Sequence, residues 1–235
     1  MDEVRNLDLS SYLFNEFVNF CFDRKVVTDK ELFDYFYTDS AGQRCEEAIP
    51  ASPEVLITHM TKLFSEFGAI VPKYSLTQID QGIWAIIGPF FHLAGLLFDP
   101  SIQLPIRLEC IRSMFYVYSG FVAKSEADLN LTGLFMWWDL VLDDFWTPPR
   151  PFVAGTYKGD ASKLDAESRV LLDVLFETLN RILDLPDTET QRCALHGLGH
   201  LHHPDVRHTV QHYIDANKSE LPLEWLEECR DGTVE

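Results

Sequence analysis

Arg192-Cys-Ala-Leu-His-Gly-Leu-Gly-His-Leu-His-His-Pro-Asp-Val-Arg-His-Thr-Val-Gln-His-Tyr-Ile-Asp215 holds six of the chain's eight histidines, and its pattern decides how the chain folds. Leu195, Leu198 and Leu201 recur at three-residue intervals with the small Ala194 beside them, the spacing of a helix face turned toward a core. His203-Pro204-Asp205 then makes a corner, because proline has no N–H to carry a helical ladder onward. Beyond the corner, Val206, Val210, Tyr213 and Ile214 resume an apolar stripe. Two short helices folded back on each other are predicted.

Helical signals repeat along the rest of the chain. Asp8-Leu-Ser-Ser opens a helix with Leu13, Phe17, Phe20 and Cys21 on one face. Thr28 and Glu31 have the capping-box spacing, and a loop is expected over 38–51. Ser52-Pro53 reads as an N-cap followed by a proline in the first turn, where its missing N–H costs nothing. Leu56, Met60, Leu63, Phe64 and Phe67 keep the helical period up to Gly68. Ser75 and Gln78 come close to a second capping box, ahead of a helix that carries Ile79, Ile83, Trp84 and Ile87 and breaks at Gly88-Pro89. On that helix Gln78 and Gln81 read as packing residues, and Gly82 permits close helix approach. Phe91 to Leu97 suggests a helix ending at Asp99-Pro100. Residues 101–122 read as one long helix, apolar on more than one side and therefore central. Helices over 128–145 and from about Leu164 to Leu183 flank a loop at 147–163, and a last helix from Leu221 to Arg230 stops at Gly232. Period-2 alternation is nearly absent, so the expected fold class is all-α.

The run Ala194-Leu195-x-x-Leu198-Gly199-x-Leu201, followed by Pro204-Asp205-Val206 at a tight corner, resembles a HEAT-like helical repeat over roughly 187–217. Residues 89–123 echo it with a helix, an Asp-Pro corner and a helix, although no strict period connects the two. The resemblance implies a right-handed α-α superhelix, regular or irregular, that binds its ligand along the superhelix. Residues 1–235 are expected to form a single domain, with irregular N-terminal helices over about 1–70 and a repeat-like core over about 75–230.

Composition narrows the function classes. With 46% hydrophobic and 24% charged residues, the chain has a globular profile rather than a disordered one. No apolar run reaches the length of a membrane span, and the acidic N-terminus is unlike the basic start of a secretory signal, so a cytoplasmic protein is expected. Cys21, Cys45, Cys110, Cys193 and Cys229 are scattered without a Cys-x-x-Cys and read as small buried thiols. The formal net charge is −18, made up of −7 over 1–60, 0 over 61–120, −5 over 121–180 and −6 over 181–235. Such a field repels nucleic-acid phosphates and anionic lipid and attracts basic proteins.

Two groups of residues are candidates for chemistry. His196 and His200 lie four apart on one predicted helix and His208 and His212 four apart on the next, a set that could hold a metal ion. Against this, no His-Glu-x-x-His occurs, and His196 and His200 fall off the leucine stripe, so both are expected exposed or half-buried. His202 and His203 fall in the turn, within reach of helix-end carbonyls. The second group is Met136 to Phe152, where Asp139, Asp143 and Asp144 accompany Trp137, Trp146 and Phe152. Carboxylates near a helix C-terminus oppose its dipole and each other, so they are either fully solvated or used to attract a cation. Aromatic area beside them suits recognition of a basic partner. Serine elbows, phosphate loops and dinucleotide fingerprints are missing.

The sequence therefore leads to a non-catalytic helical scaffold without a cofactor. It is expected to bind a basic protein through an acidic surface formed by Trp137, Asp139, Asp143, Asp144, Trp146 and Phe152. An immunity-type protein that masks a basic toxin domain is one concrete form. The alternative is a metal-dependent enzyme using either the C-terminal histidines or the three aspartates.

Overall fold

The computed structural model describes residues 8–27, 51–88, 95–125, 129, 131–146, 161–216 and 220–234, with only the backbone of Asp144. The helices are α1 (Phe14–Phe22), α2 (Pro53–Ser65), α3 (Phe67–Ile70), α4 (Leu76–Ile87), α5 (Leu104–Ser113) and α6 (Phe115–Gly120), then α7 (Thr132–Trp146), α8 (Ala166–Leu183), α9 (Thr188–Leu201), α10 (Val206–Asp215) and α11 (Leu223–Asp231). Among the described residues there is no strand, so the protein is all-α. No helix among them is long and apolar enough to cross a membrane. The Thr28–Glu31 box, the residues from Pro89 to Ala94, Cys45, Phe152 and most of the 38–51 and 147–163 loops lie outside the described residues.

Local signals set most helix starts. Pro53 occupies the first turn of α2, but the Ser52 hydroxyl makes no cap bond; instead the Ser52 N–H donates to Ser10 Oγ at 2.9 Å. Ser75 and Gln78 complete a full capping box on α4, with the Ser75 N–H donating to Gln78 Oε1 at 3.1 Å and the Gln78 N–H to Ser75 Oγ at 3.3 Å. Asp165 and Asp187 cap α8 and α9 by accepting the N–H groups of Ser168 at 2.7 Å and Thr190 at 2.8 Å. The start of α7 is capped from another helix. Asp80 on α4 accepts the Gly133 N–H at 2.8 Å and the Thr132 hydroxyl at 3.2 Å.

α9 is the centre of the fold, packed against α7, α8, α10 and α11. Every residue from Cys193 to Gly199 is buried, so all sides of this helix are covered. Its two glycines make that possible. A methyl group at Gly197 would sit 2.7 Å from Trp138 Cβ and 2.8 Å from Leu179 Cδ2, and one at Gly199 would sit 3.1 Å from Cys229 Cα. The expected central helix over 101–122 is divided instead. At Met114 the N–H reaches back three residues to the Ile111 carbonyl at 3.1 Å, and the Ser113 hydroxyl takes the Cys110 carbonyl at 2.6 Å. This tightened turn separates α5 from α6.

The paired-helix reading of 192–215 agrees with α9 and α10. His202 ends α9 in the left-handed conformation (φ 54°), and Gly232 ends α11 in the same way (φ 72°). Val234 then folds back against Gly199. At the other end of the molecule, Gln81 is almost fully buried and stitches the segment after α1 to α4. Its Oε1 accepts the Val27 N–H at 3.0 Å and its Nε2 donates to the Lys25 carbonyl at 3.2 Å. Gly82 lets the Phe22 ring press onto the backbone of α4. Cys21, Cys110, Cys193 and Cys229 are buried free thiols.

Candidate functional site

Two of the aromatic residues expected on the acidic surface belong to the core. Trp137 is 0% exposed and Trp146 6%, because α7 packs against α4 and α9 together and buries more than one of its faces. The Trp137 ring meets Phe64 edge-on at 5.1 Å. Asp143 is exposed and the Asp139 side chain is 28% exposed, so these two carboxylates do reach solvent.

The four histidines do not gather. His208 and His212 are exposed on α10, whereas His196 and His200 turn toward α7. His200 is half-buried, as its place off the leucine stripe predicts, with its side chain 15% exposed, whereas His196 is 1% exposed and departs from that expectation. The reason is again Gly197 and Gly199. These small residues let α7, α8 and α11 approach faces of α9 that larger side chains would have left wet. Among the described residues no three or more metal-ligating side chains converge.

What the fold brings together is two members of the histidine group and one of the aspartate group. On α7, Phe135 and Asp139 are four residues apart; on α9, so are His196 and His200. The Phe135 carbonyl lies 3.3 Å from His196 Nδ1. His196 Nε2 lies 3.2 Å from His200 Nε2. His200 Nδ1 lies 3.6 Å from Asp139 Oδ1. The four groups form a continuous line from a part-buried carbonyl to a partly exposed carboxylate. The His196 ring stacks on Phe135 with centroids 4.2 Å apart and an interplanar angle of 13°, which fixes its orientation. The Arg192 guanidinium lies over the same Phe135 ring at 4.4 Å and is charge-balanced by Glu189 at 2.6 Å.

Burial pushes the His196 imidazole down to about 4, and the neighbouring His200 adds to that push. The Phe135 carbonyl and Asp139 oppose the shift, and Arg192 reinforces it. His196 is accordingly a neutral ring at neutral pH, with its Nδ1 proton directed at a carbonyl and its Nε2 lone pair directed at His200.

A second histidine is structural. His203 Nδ1 accepts the Asp205 N–H at 3.1 Å, which places a proton on Nε2, and that nitrogen donates to Asp173 Oδ1 at 3.1 Å. Its ring stacks on Phe176 at 4.1 Å. It thus clasps the α9–α10 corner to α8 rather than capping helix-end carbonyls.

No single stretch of sequence announces that Asp139 and His200 meet. The usable signal is the matched four-residue spacing on two helices, each of which has a buried face. Compared with protein-family models, curated proteins and solved structures, the chain matches none.

Proposed function

We propose that this protein is a non-catalytic scaffold of helix pairs, stacked in the HEAT-like manner, that binds a basic protein partner. The observation behind this reading is the acidic outer side of α11. Leu223 is 57% exposed there, and exposed Glu220, Glu224 and Glu227 surround it in sequence and on the helix. An apolar anchor among carboxylates, on a chain of net charge −18, suits a partner that carries an apolar side chain within a basic patch. Asp139 and Asp143 extend the acidic character onto α7, while the tryptophans of that helix contribute packing and not contact. A protein of the immunity type, masking a basic toxin domain, is the concrete form that best fits these features.

The test is capture from extract of the source cells on the immobilised chain at low and at high salt. A basic protein retained at low salt, released at high salt and lost by the Glu224→Lys/Glu227→Lys double variant is the expected result. Retention indifferent to both salt and charge reversal would exclude the reading.

A further inference from the structure

We propose that the groove between α1 and the segment from α3 to Tyr74 binds an extended acidic peptide segment of a partner protein. The groove measures about 390 Å³ and is lined by Phe14, Asn15, Val18 and Asn19 of α1, with Ile70 and Lys73 across from them. Its apolar members are buried Val18 and half-buried Phe14 and Ile70. Asn15 and Asn19 are exposed and stand four residues apart, so both carboxamides project from one face of α1. Four residues of α-helix rise about 6 Å. In an extended chain the peptide groups along one edge recur every second residue, about 6.6–6.8 Å apart. Two carboxamides, each with donors and an acceptor, can therefore pair with successive peptide groups of a strand laid along α1.

The polar groups are positioned ahead of any ligand. Phe22 is 1% exposed, and its ring stacks on Tyr74 with centroids 5.7 Å apart. The Tyr74 hydroxyl donates to Asn19 Oδ1 at 3.1 Å, which leaves the Nδ2 hydrogens to donate elsewhere. The Lys73 ammonium lies 4.8 Å from the centroid of the same Tyr74 ring. One anchored ring thus places an amide and a cation together. At the Phe14 end, the Lys62 ammonium lies 4.9 Å from the Phe14 centroid.

Charge selects the occupant. Lys73 has no carboxylate partner among the described residues, and Lys62 has the exposed i,i+4 pair with Glu66 at 3.3 Å, a kind worth little in water. Glu16 of α1 is engaged by the Leu13 N–H at 2.7 Å. A strand with carboxylates on either side of an apolar residue answers both ammonium groups and the apolar lining at once. The net charge of −18 opposes an acidic ligand at a distance, but residues 61–120, which supply Lys62, Ile70 and Lys73, sum to zero. Beyond about 8–10 Å the remaining field is largely screened by salt, whereas the two ammonium groups act at contact. The inference is independent of the scaffold reading, since it uses no residue of α11.

The experiment titrates the full, isotope-labelled chain with acetyl-Glu-Asp-Leu-Asp-Glu-amide and follows the side-chain NH₂ signals of Asn15 and Asn19 by NMR. Saturable shifts of both signals at millimolar peptide or below are expected. Exchange of the four acids for lysine should abolish them. The depsipeptide, in which esters replace the peptide bonds at equal charge, should bind at least about 5-fold more weakly. Lys73→Gln should weaken binding about 2–5-fold, and Glu224→Lys/Glu227→Lys should leave it unchanged. No saturable shift, equal binding of the lysine peptide, or equal binding of the depsipeptide would each overturn the proposal. So would shifts of the two amides with protein concentration alone, which would assign the groove to a second copy of the chain.

Discussion

Asp80 Oδ1 accepts the backbone N–H of Gly133 at 2.8 Å, so the first turn of α7 is capped by a side chain from α4. A helix N-terminus exposes unpaired N–H groups and the positive end of the dipole, and a carboxylate there satisfies both. The same contact fixes where α4 crosses α7. Asp80→Ala is expected to lower stability by about 1–2 kcal/mol, to be read as a shift in urea midpoint at unchanged slope. Asp80→Asn, which keeps an acceptor oxygen, should lose less. Equal losses would mean that the contact acts through charge alone.

Gly197 and Gly120 should respond oppositely to alanine. At Gly197 the new methyl would lie 2.7 Å from Trp138 Cβ, where α9 packs against both α7 and α8, so overpacking should cost about 1–3 kcal/mol. At Gly120 the nearest atom lies 3.9 Å away, an ordinary contact. There the entropic advantage of alanine over glycine in a helix should leave stability unchanged or raise it by up to about 1 kcal/mol. Chemical denaturation of both variants side by side makes the comparison.

Glu167 is partly exposed, yet its loss should be felt in the core. Its Oε1 receives Arg107 Nη2 at 2.6 Å, and the Arg107 side chain is 1% exposed. Arg107 Nε donates to the Ile102 carbonyl at 2.9 Å, which leaves the carboxylate as the only counter-charge with a direct bond to the guanidinium among the described residues. Glu167→Leu is therefore expected to cost about 1.5–3 kcal/mol, the range for a hydrogen bond to a charged group, where an ordinary surface exchange costs little. A change below about 0.5 kcal/mol would show that water replaces the glutamate.

Acid should loosen the N-terminal end of the chain through Asp8. Partial burial raises its carboxyl, but hydrogen bonds from the Ser10 hydroxyl, the Ala51 N–H, the Ser10 N–H and Ser11 outweigh this and hold it below the ordinary 3.8. Because the folded value lies below the unfolded one, the contribution is complete above the unfolded value and is lost as pH falls through the folded value. Asp8→Asn should flatten the acid limb of the stability–pH curve and leave its neutral side nearly level. Urea titrations from neutral pH downward supply the curve.

The helical class and several boundaries were legible because they rest on short-range chemistry. Ser75 with Gln78, Pro53 in a first turn, the His203-Pro204-Asp205 corner and Gly232 each act on neighbours a few residues away. Burial was harder to read. His196 sits off the leucine stripe, and only the crossing of α7 over α9 at Gly197 turns that side into core. The pattern His-Gly-Leu-Gly-His carried the clue, since two glycines inside a helix mark faces on which neighbouring helices come close. The adjacent Trp137 and Trp138, both 0% exposed, show a similar thing for α7: side chains about 100° apart on a helix cannot share one narrow face, so the helix is covered on more than one. The trans cap by Asp80 and the meeting of Asp139 with His200 depend on helix crossings, which the local pattern does not encode.

Val234 rests where a side chain on Gly199 would have been, against the middle of the protein's most enclosed helix. During synthesis α9 leaves the ribosome well before that valine does. The flank of the helix that holds Gly199 must stay open to water, or to a chaperone, until residue 234 has cleared the exit tunnel. A ribosome stalled with residue 234 still inside the tunnel should therefore display a chain that has helices but no sealed interior, and full resistance to protease should arrive only once residue 234 is outside it.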